Sequence, residues 1–577
     1  MVRSSGPVHV VTTKRSYKGR VYRAHLLRRS FREGKSVRNE TVANLSHLPD
    51  HVVELIRRAL RGESFATVAE QFDVVASPHH GHVQAVLAAM RRLGFAELLH
   101  TRRRRERDLV VAMVVARVLA PQSKLATTRW WGTTTVPTTL GVADATEDDL
   151  YAAMDWLLAR QAAVETKLAS RHLEEGGLVL YDLSSSYFEG TTCPLASLGY
   201  NRDGKRGKLQ VNYGVLANRG GCPVSVSVFD GNTGDSTTLL PELQKLRTRF
   251  GVERLVVVGD RGMIAQKQID VLREEGNVGW VTAMRTAALR KLVEAGHVQL
   301  GLFDEANLFS LVHPDFPGER LVACRNPDLA ASRAHKRQSL LDATRRELDK
   351  VKRMAERGTI AGKGEIGVRA GKVVNKYKVA KHFDIEVGDA SFSYRLREDR
   401  IAAEAALDGV YVIRTSESEE RLGDEEAVRA YKDLAGVERA FRSMKTVDLH
   451  VRPIRHRTED RVRAHVFLCL LAYHVQWHMQ EAWRELLFFD EDLEAKKRRD
   501  PVAPARRSEG ALRKVAERKL SDGSPVHGFR TLLAELATIV RNVCRRKGVP
   551  EEPTFELVTT PNEKQRRALD LLESIAV

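Results

Sequence analysis

Two apolar runs in this chain each end in an acid. Leu178-Val179-Leu180-Tyr181 leads into Asp182, and Leu255-Val256-Val257-Val258-Gly259 leads into Asp260. Such runs form strands that sit in a core, where an ionised carboxylate is costly unless something neutralises it. Asp182 therefore has two readings. It caps a turn made by Ser184, Ser185 and Ser186, or it faces a cation. A second acid in the same setting strengthens the cation reading, because paired carboxylates repel and call for a shared proton or a divalent ion. Oxygen ligands with no His or Cys beside them suit Mg²⁺ or Mn²⁺ rather than zinc. Two unrelated turn residues are the alternative.

A third acid lies far along the chain. In YKDLAGVERAFRSMK, residues 431–445, Leu434, Val437, Phe441 and Met444 recur at three–four spacing, the packed face of a helix. Tyr431, Glu438 and Lys445 stand seven residues apart. They drift by only about 20° per step and share a stripe at the edge of that face. Glu438 is thus held by a packed helix yet free to point at the end of a sheet, with Arg439 and Arg442 beside it. A solvated surface charge is the ordinary alternative.

The elements that must position these acids follow from the patterning. GLVLYDLSSSYF, LQVNYGVLAN and PVSVSVFDGNT read as three strands, and TLLPELQKLRTRFG as a helix. A buried strand, a tight turn at Gly259–Gly262 and a helix come next, then the strand VGWVTAM. Together they make an α/β unit with a mixed sheet. Upstream, residues 1–62 are a basic region of short strands and one helix, and residues 63–175 are mostly helical. Residues 286–424 are less regular, 425–480 return to helix, and 481–577 are a charged loop followed by helices. The amphipathic stretches VHGFRTLLAELATIVRNVCRR and EKQRRALDLLESIAV have no other employment in this reading, and are expected to contact a second copy.

Lys and Arg number 93 against 75 Asp and Glu, a net charge of +18. That excess points to a polyanionic partner, most simply nucleic acid. The five cysteines are odd in number, far apart and form no Cys-x-x-Cys pair. This argues against a disulfide framework or a cysteine zinc site, and for a reducing compartment. The longest apolar runs, LVVAMVVA and VFLCLLAY, are too short to span a bilayer, and no signal peptide opens the chain, so a cytoplasmic protein without membrane contact is expected. Three further features carry less. His79, His80 and His82 read as a polar loop rather than a metal site, the three serines lack a nucleophile-elbow frame, and Trp130, Trp131 and Trp280 read as packing.

With these residues in view, the chain resembles the DDE transposases of bacterial insertion sequences, in the group with a Tyr-Arg-Glu-Lys signature. The signature matches at Tyr431, Glu438 and Lys445, and Leu434 stands at its Arg position. YDLSSSYFEG, GNTGDSTTL, VVVGDRGMI and RPIRHRTEDRVRAHVFLCLLAY are also of the family's kind. The resemblance runs from the basic start to about residue 480. It implies a ribonuclease H-like core in two parts, residues 176–285 and 425–480, split by an insertion domain at 286–424 that is β-rich in relatives. It implies that Asp182, Asp260 and Glu438 hold two Mg²⁺ ions, replaceable by Mn²⁺. These would serve phosphodiester cleavage and transfer of the 3′-OH ends to target DNA. Tyr431 and Lys445 would grip the phosphate backbone, often through a hairpin intermediate in relatives. Arg261, Arg439 and Arg442 are expected as further DNA contacts. The implied partner is double-stranded DNA, both terminal inverted repeats and target, with a homodimer assembled on it and residues 1–175 reading the ends. The rivals are a structure-specific nuclease of the same fold and a silent DNA-binding relative, which has no need of three acids.

Overall fold

The computed structural model describes residues 6–63, 65, 71–304, 306–504, 506–547, 551 and 553–576. The chain forms two compact units: residues 1–77 with 541–558, and residues 78–540 with 559–577.

In the first unit, β1 (Val8–Tyr17), β2 (Arg20–Glu33) and β3 (Ser36–Asn44) form an antiparallel meander. The β1–β2 turn has two residues, Lys18 and Gly19, both at positive φ, as a tight hairpin requires. Helix α1 (Asp50–Leu60) packs on β1. Strand β4 (Phe72–Ala76) pairs with Arg541–Arg546, which pairs in turn with Phe555–Val558. The C-terminal region is therefore not helical throughout. Its helix stops at Ala537 because Thr538, Ile539 and Val540 are three β-branched residues in a row.

The second unit opens with helices: α2 (Gly81–Arg92), α3 (Arg105–Leu119), α4 (Glu147–Leu158) and α5 (Gln161–His172). Thr146 and Asp149 close a reciprocal capping box on α4, as its opening acids suggest. Strands β5 (Leu178–Tyr187), β6 (Gln210–Asn218) and β7 (Pro223–Asp230) follow as an antiparallel meander. After α6 (Asp235–Thr248) come β8 (Leu255–Val258), α7 (Gln266–Glu275) and β9 (Val278–Ala283). β8 runs parallel to β5 and to β9. The order β9-β8-β5-β6-β7, with three antiparallel strands and then two parallel ones, is the ribonuclease H-like arrangement.

Residues 286–424 divide between two structures. β10 (Leu308–Leu311), β11 (Arg320–Arg325) and a later strand, Val410–Thr415, extend the central sheet to eight strands. Between them, α8 (Pro327–Glu356), α9 (Lys363–Tyr377) and the hairpin β12 (Phe383–Val387) with β13 (Phe392–Leu396) close a core of their own around Leu348, Ile366 and Phe383. The β-rich insertion expected from relatives is thus mainly helical. Long runs of Ala, Leu, Arg, Lys and Glu favour that outcome.

Helix α10 (Asp424–Arg442) crosses the sheet, packing on β5, β9 and Val410–Thr415. Acids fill its first turn and Arg439 and Arg442 its last, as the helix dipole favours. α11 (Glu459–Ala482) is buried along most of its length against α3, α4 and β7. α12 (Phe529–Ala537) and α13 (Glu563–Glu573) both pack on α2. Their Leu532, Leu533, Leu536 and Leu572 are buried in the unit's own core, so the apolar faces expected to meet a second copy are covered within the chain. Among the described residues, no single helix is long and apolar enough to cross a membrane.

Candidate active site

The parallel pairing of β5 with β8 places Leu180 opposite Val258, and β8 stops there while β5 continues to Tyr187. Asp182 is therefore in mid-strand rather than at a strand end. It lies just beyond the point where its parallel neighbour ends. The three serines do not form a turn. They stay in β5, buried and paired with residues 211–213, with Ser186 Oγ 2.9 Å from Tyr213 Oη. Buried hydroxyls that find such partners extend a strand at little cost.

Asp260 lies two residues past β8. Its Oδ1 accepts hydrogen bonds from Gly262 N at 3.0 Å and Met263 N at 2.7 Å, which fixes the carboxylate in the turn. Asp182 Oδ1 accepts one from Leu183 N at 2.8 Å. Asp182, Asp260 and the exposed Glu438 of α10 line one cavity of about 390 Å³. Burial pushes the Asp182 carboxyl up to about 7, with the Asp260 and Glu438 charges adding to the rise against the Leu183 N–H and Arg202. Tyr431 is half-buried near the same acids, and its phenol is pushed upward by burial and then by Asp260.

Lys445 also lines this cavity, but its ammonium is taken. Nζ donates to Asp203 Oδ1 at 3.1 Å, in a pair whose side chains are only 10% and 2% exposed. Arg452 pairs with the same carboxylate. Burial lowers the Lys445 pKa, with Asp203 opposing. The inward turn of Lys445 has a local cause. After α10 the chain widens into a π-turn over residues 443–447, where Asp448 N donates to Ser443 O at 3.1 Å. Ser443 Oγ and Gln476 Nε2 of α11 hold Asp448 Oδ2 at 2.6 and 2.7 Å, locking the wide turn.

Arg442 is exposed and lines the cavity, and Arg261 is exposed in the Asp260 turn with its charge felt at Tyr431. Arg439 is exposed but is not part of the lining; its charge bears on Tyr473 of α11. Leu434, at the signature's Arg position, is 8% exposed and packed in the core. Sequence reasoning missed Arg202, Asp203, Asp235 and Arg452, which complete the charged lining. Arg202 pairs with Asp235, and Tyr187 N donates to Asp203 Oδ2 at 3.0 Å, tying the 201–207 loop to β5. For Arg202 and Asp203 the signal is the mixed-charge segment NRDGKRG, while Asp235 and Arg452 lie in the family-like stretches GNTGDSTTL and RPIRHRTED.

The residues set aside in sequence behave as packing. His79 Nδ1 lies 2.9 Å from Ala537 O and His80 Nδ1 2.9 Å from Thr135 Oγ1. Trp131 and Trp280 are buried.

Three carboxylates sharing one cavity, one of them driven toward protonation near neutral pH, are a hard-oxygen donor set suited to divalent cations. A ribonuclease H-like sheet bearing that donor set defines the class as a metal-dependent enzyme acting on nucleic acid. Residues 188–475 match the family described as transposase DDE domain, and residues 10–70 match the N-terminal domain of IS1634 family transposases. The chain belongs to the DDE transposases of insertion sequences: it is a metal-dependent DNA transposase. Asp260, Tyr431, Glu438 and Lys445 fall within the first match, and Asp182 lies just before it. Among solved structures, the cryo-EM structure of piggyBac transposase synaptic complex with hairpin DNA is similar at a TM-score of 0.34 and 9% identity, over 79% of this chain and 77% of that one. No match was found among curated proteins.

Proposed function

We propose that Asp182, Asp260 and Glu438 hold two Mg²⁺ ions, with Mn²⁺ as a substitute, and that the enzyme cuts the ends of its insertion sequence and joins their 3′-OH groups to target DNA. The observation that carries this reading is the convergence of the three acids on one cavity. Bound ions would supply an activated water and charge stabilisation at the leaving 3′ oxygen. The protein's own part is positioning. The Asp260 turn and the register of β5 fix two carboxylates, and the packed face of α10 fixes the third. Tyr431 stands beside the acids to hold the scissile phosphate, with Arg442 and Arg261 at its flanks. Lys445 joins the grip by exchanging Asp203 for a DNA phosphate, and Arg452 remains to neutralise Asp203. With Leu434 in the core, the phosphate contact of the signature's Arg does not come from that position; Arg442, which lines the cavity, is the better candidate to replace it, ahead of the exposed Arg439.

Recognition of the terminal inverted repeats falls to the N-terminal residues. The tip of the β1–β2 hairpin exposes Lys14, Arg15, Lys18, Arg20 and Arg23, with Tyr17 and Tyr22 exposed among them. Each phosphate so contacted releases counterions, so binding weakens steeply with salt. Two ends must be held together for joining, which calls for a homodimer on the DNA.

The test is incubation of the full chain with Mg²⁺ and either a duplex carrying the element's terminal repeats or a scrambled duplex of the same length. Cleavage at the repeat end, followed by joining to a target plasmid, is expected. Equal cleavage of both duplexes without joining would show a structure-specific nuclease, and binding without cleavage a silent relative.

A further inference from the structure

His172, Cys222, His474 and His478 meet from three elements. They come from the last residue of α5, the turn between β6 and β7, and two positions one turn apart on α11. One ligating atom of each lies within 4.8 Å of those of the others. Cys222 Sγ stands 3.6 Å from His474 Nδ1 and 3.8 Å from His478 Nε2. In a tetrahedral zinc site with Zn–S about 2.3 Å and Zn–N about 2.0–2.1 Å, the S···N edge is roughly 3.6 Å. Cys222, His474 and His478 are buried, and His172 Nε2 is buried with no hydrogen-bond partner. Orphaned buried nitrogens are uncommon and need an explanation. The competing contact is His474 Nδ1 with Pro223 O at 3.3 Å, which satisfies one of the three rings.

We propose that these four side chains form a closed structural Zn²⁺ site, distinct from the carboxylate cavity. One thiolate and three imidazoles select zinc over Mg²⁺, and four protein ligands leave no open position for substrate. On binding, the Cys222 thiol loses its proton to solvent as the S–Zn bond forms, and the imidazoles enter neutral.

The site's work is positional. Gly221, next to Cys222 and at φ +82°, rests on Gly436 of α10; a Cβ on either would come within 3.0 or 3.1 Å of the other's Cα. Gly436 is two residues from Glu438. Zinc would therefore tie α5, which leads into β5, and α11 to the turn against which the Glu438 helix is seated.

The full-length chain, purified without chelator, is expected to carry about one zinc per chain by elemental analysis. After chelator treatment, Co²⁺ titration should give tetrahedral d–d bands and a thiolate-to-cobalt charge-transfer band. Cys222→Ser should lose the charge-transfer band, and Asp260→Ala should keep both signals. Zn²⁺ but not Mg²⁺ should raise the melting temperature of the stripped chain. Wild-type protein that carries no zinc and gives no tetrahedral cobalt spectrum overturns the proposal, whether or not a variant folds. So does zinc lost in Asp260→Ala but kept in Cys222→Ser.

Discussion

The carboxylate cavity and the Cys222 cluster bear on the same helix, α10, and are built in opposite ways. The cavity uses charged oxygens that remain partly or fully exposed, whereas the cluster uses a thiol and imidazoles of which three are buried. The difference follows from desolvation. A carboxylate taken fully out of water is very expensive without a partner, while a neutral imidazole or thiol costs far less. The acids proposed to meet DNA and ions sit where a strand stops short and a helix edge is free. A group that only holds the frame can close over completely.

The sharpest separation of the two regions comes from Asp260→Ala. DNA cleavage is expected to fall by about a thousandfold, the scale of losing one preorganised electrostatic group. Repeat-end binding, measured by gel shift, and zinc content should be unchanged. Near-wild-type cleavage would remove Asp260 from the site.

Leu434→Arg strikes the packed face that both regions depend on. A charge forced into the core at an 8% exposed position is expected to cost about 3 kcal/mol or more in denaturant unfolding, lowering cleavage and cluster integrity together. Improved end processing with unchanged stability would instead mean the position faces DNA.

Lys445→Ala should touch the cavity alone. Arg452 still pairs with Asp203, so stability is expected to drop by only about 1–3 kcal/mol, with end processing slowed more than binding is weakened. Equal losses in the two assays would make Lys445 purely structural.

The smallest effect is a pH response confined to the cavity. An acid whose pKa rises on folding, from 3.8 to about 7 for Asp182, binds its proton more tightly in the fold. Its contribution favours the fold at low pH and is lost as pH rises through about 7. Metal-free Asp182→Asn is thus expected to melt about 2 °C above wild type near pH 8 and level with it near pH 4. A higher melting temperature only at low pH would reverse the assignment.

Both regions also show what a sequence reveals. Asp182 and Asp260 were legible because charges at the ends of apolar runs are anomalous, and the register of β5 with β8 brings them together. Glu438 was placed chiefly by the family signature, since a glutamate on a helix edge is unremarkable. The strand through Ser184–Ser186 was not legible, because serine favours turns and its burial depends on Tyr213. Nor was the inward Lys445, whose direction is set by a π-turn that straight-helix arithmetic omits. His172 and Cys222 carry no local signal, and two histidines one turn apart on a largely apolar helix, as His474 and His478 are, read as packing. The C-terminal stretches do carry an apolar helical face over Phe529–Ala537 and Glu563–Glu573, but that face is buried against α2, and Arg541–Arg546 is a strand. Periodicity gives a face without naming what covers it.

The pairing of β4 with Arg541–Arg546 also has a bearing on synthesis. About 465 residues separate Ala76 from Arg541, so the strand that completes this sheet leaves the ribosome long after β4. At roughly 5–20 residues per second, that is about half a minute to a minute and a half after its partner has emerged. A chain broken off anywhere before that strand therefore carries β4 without its neighbour.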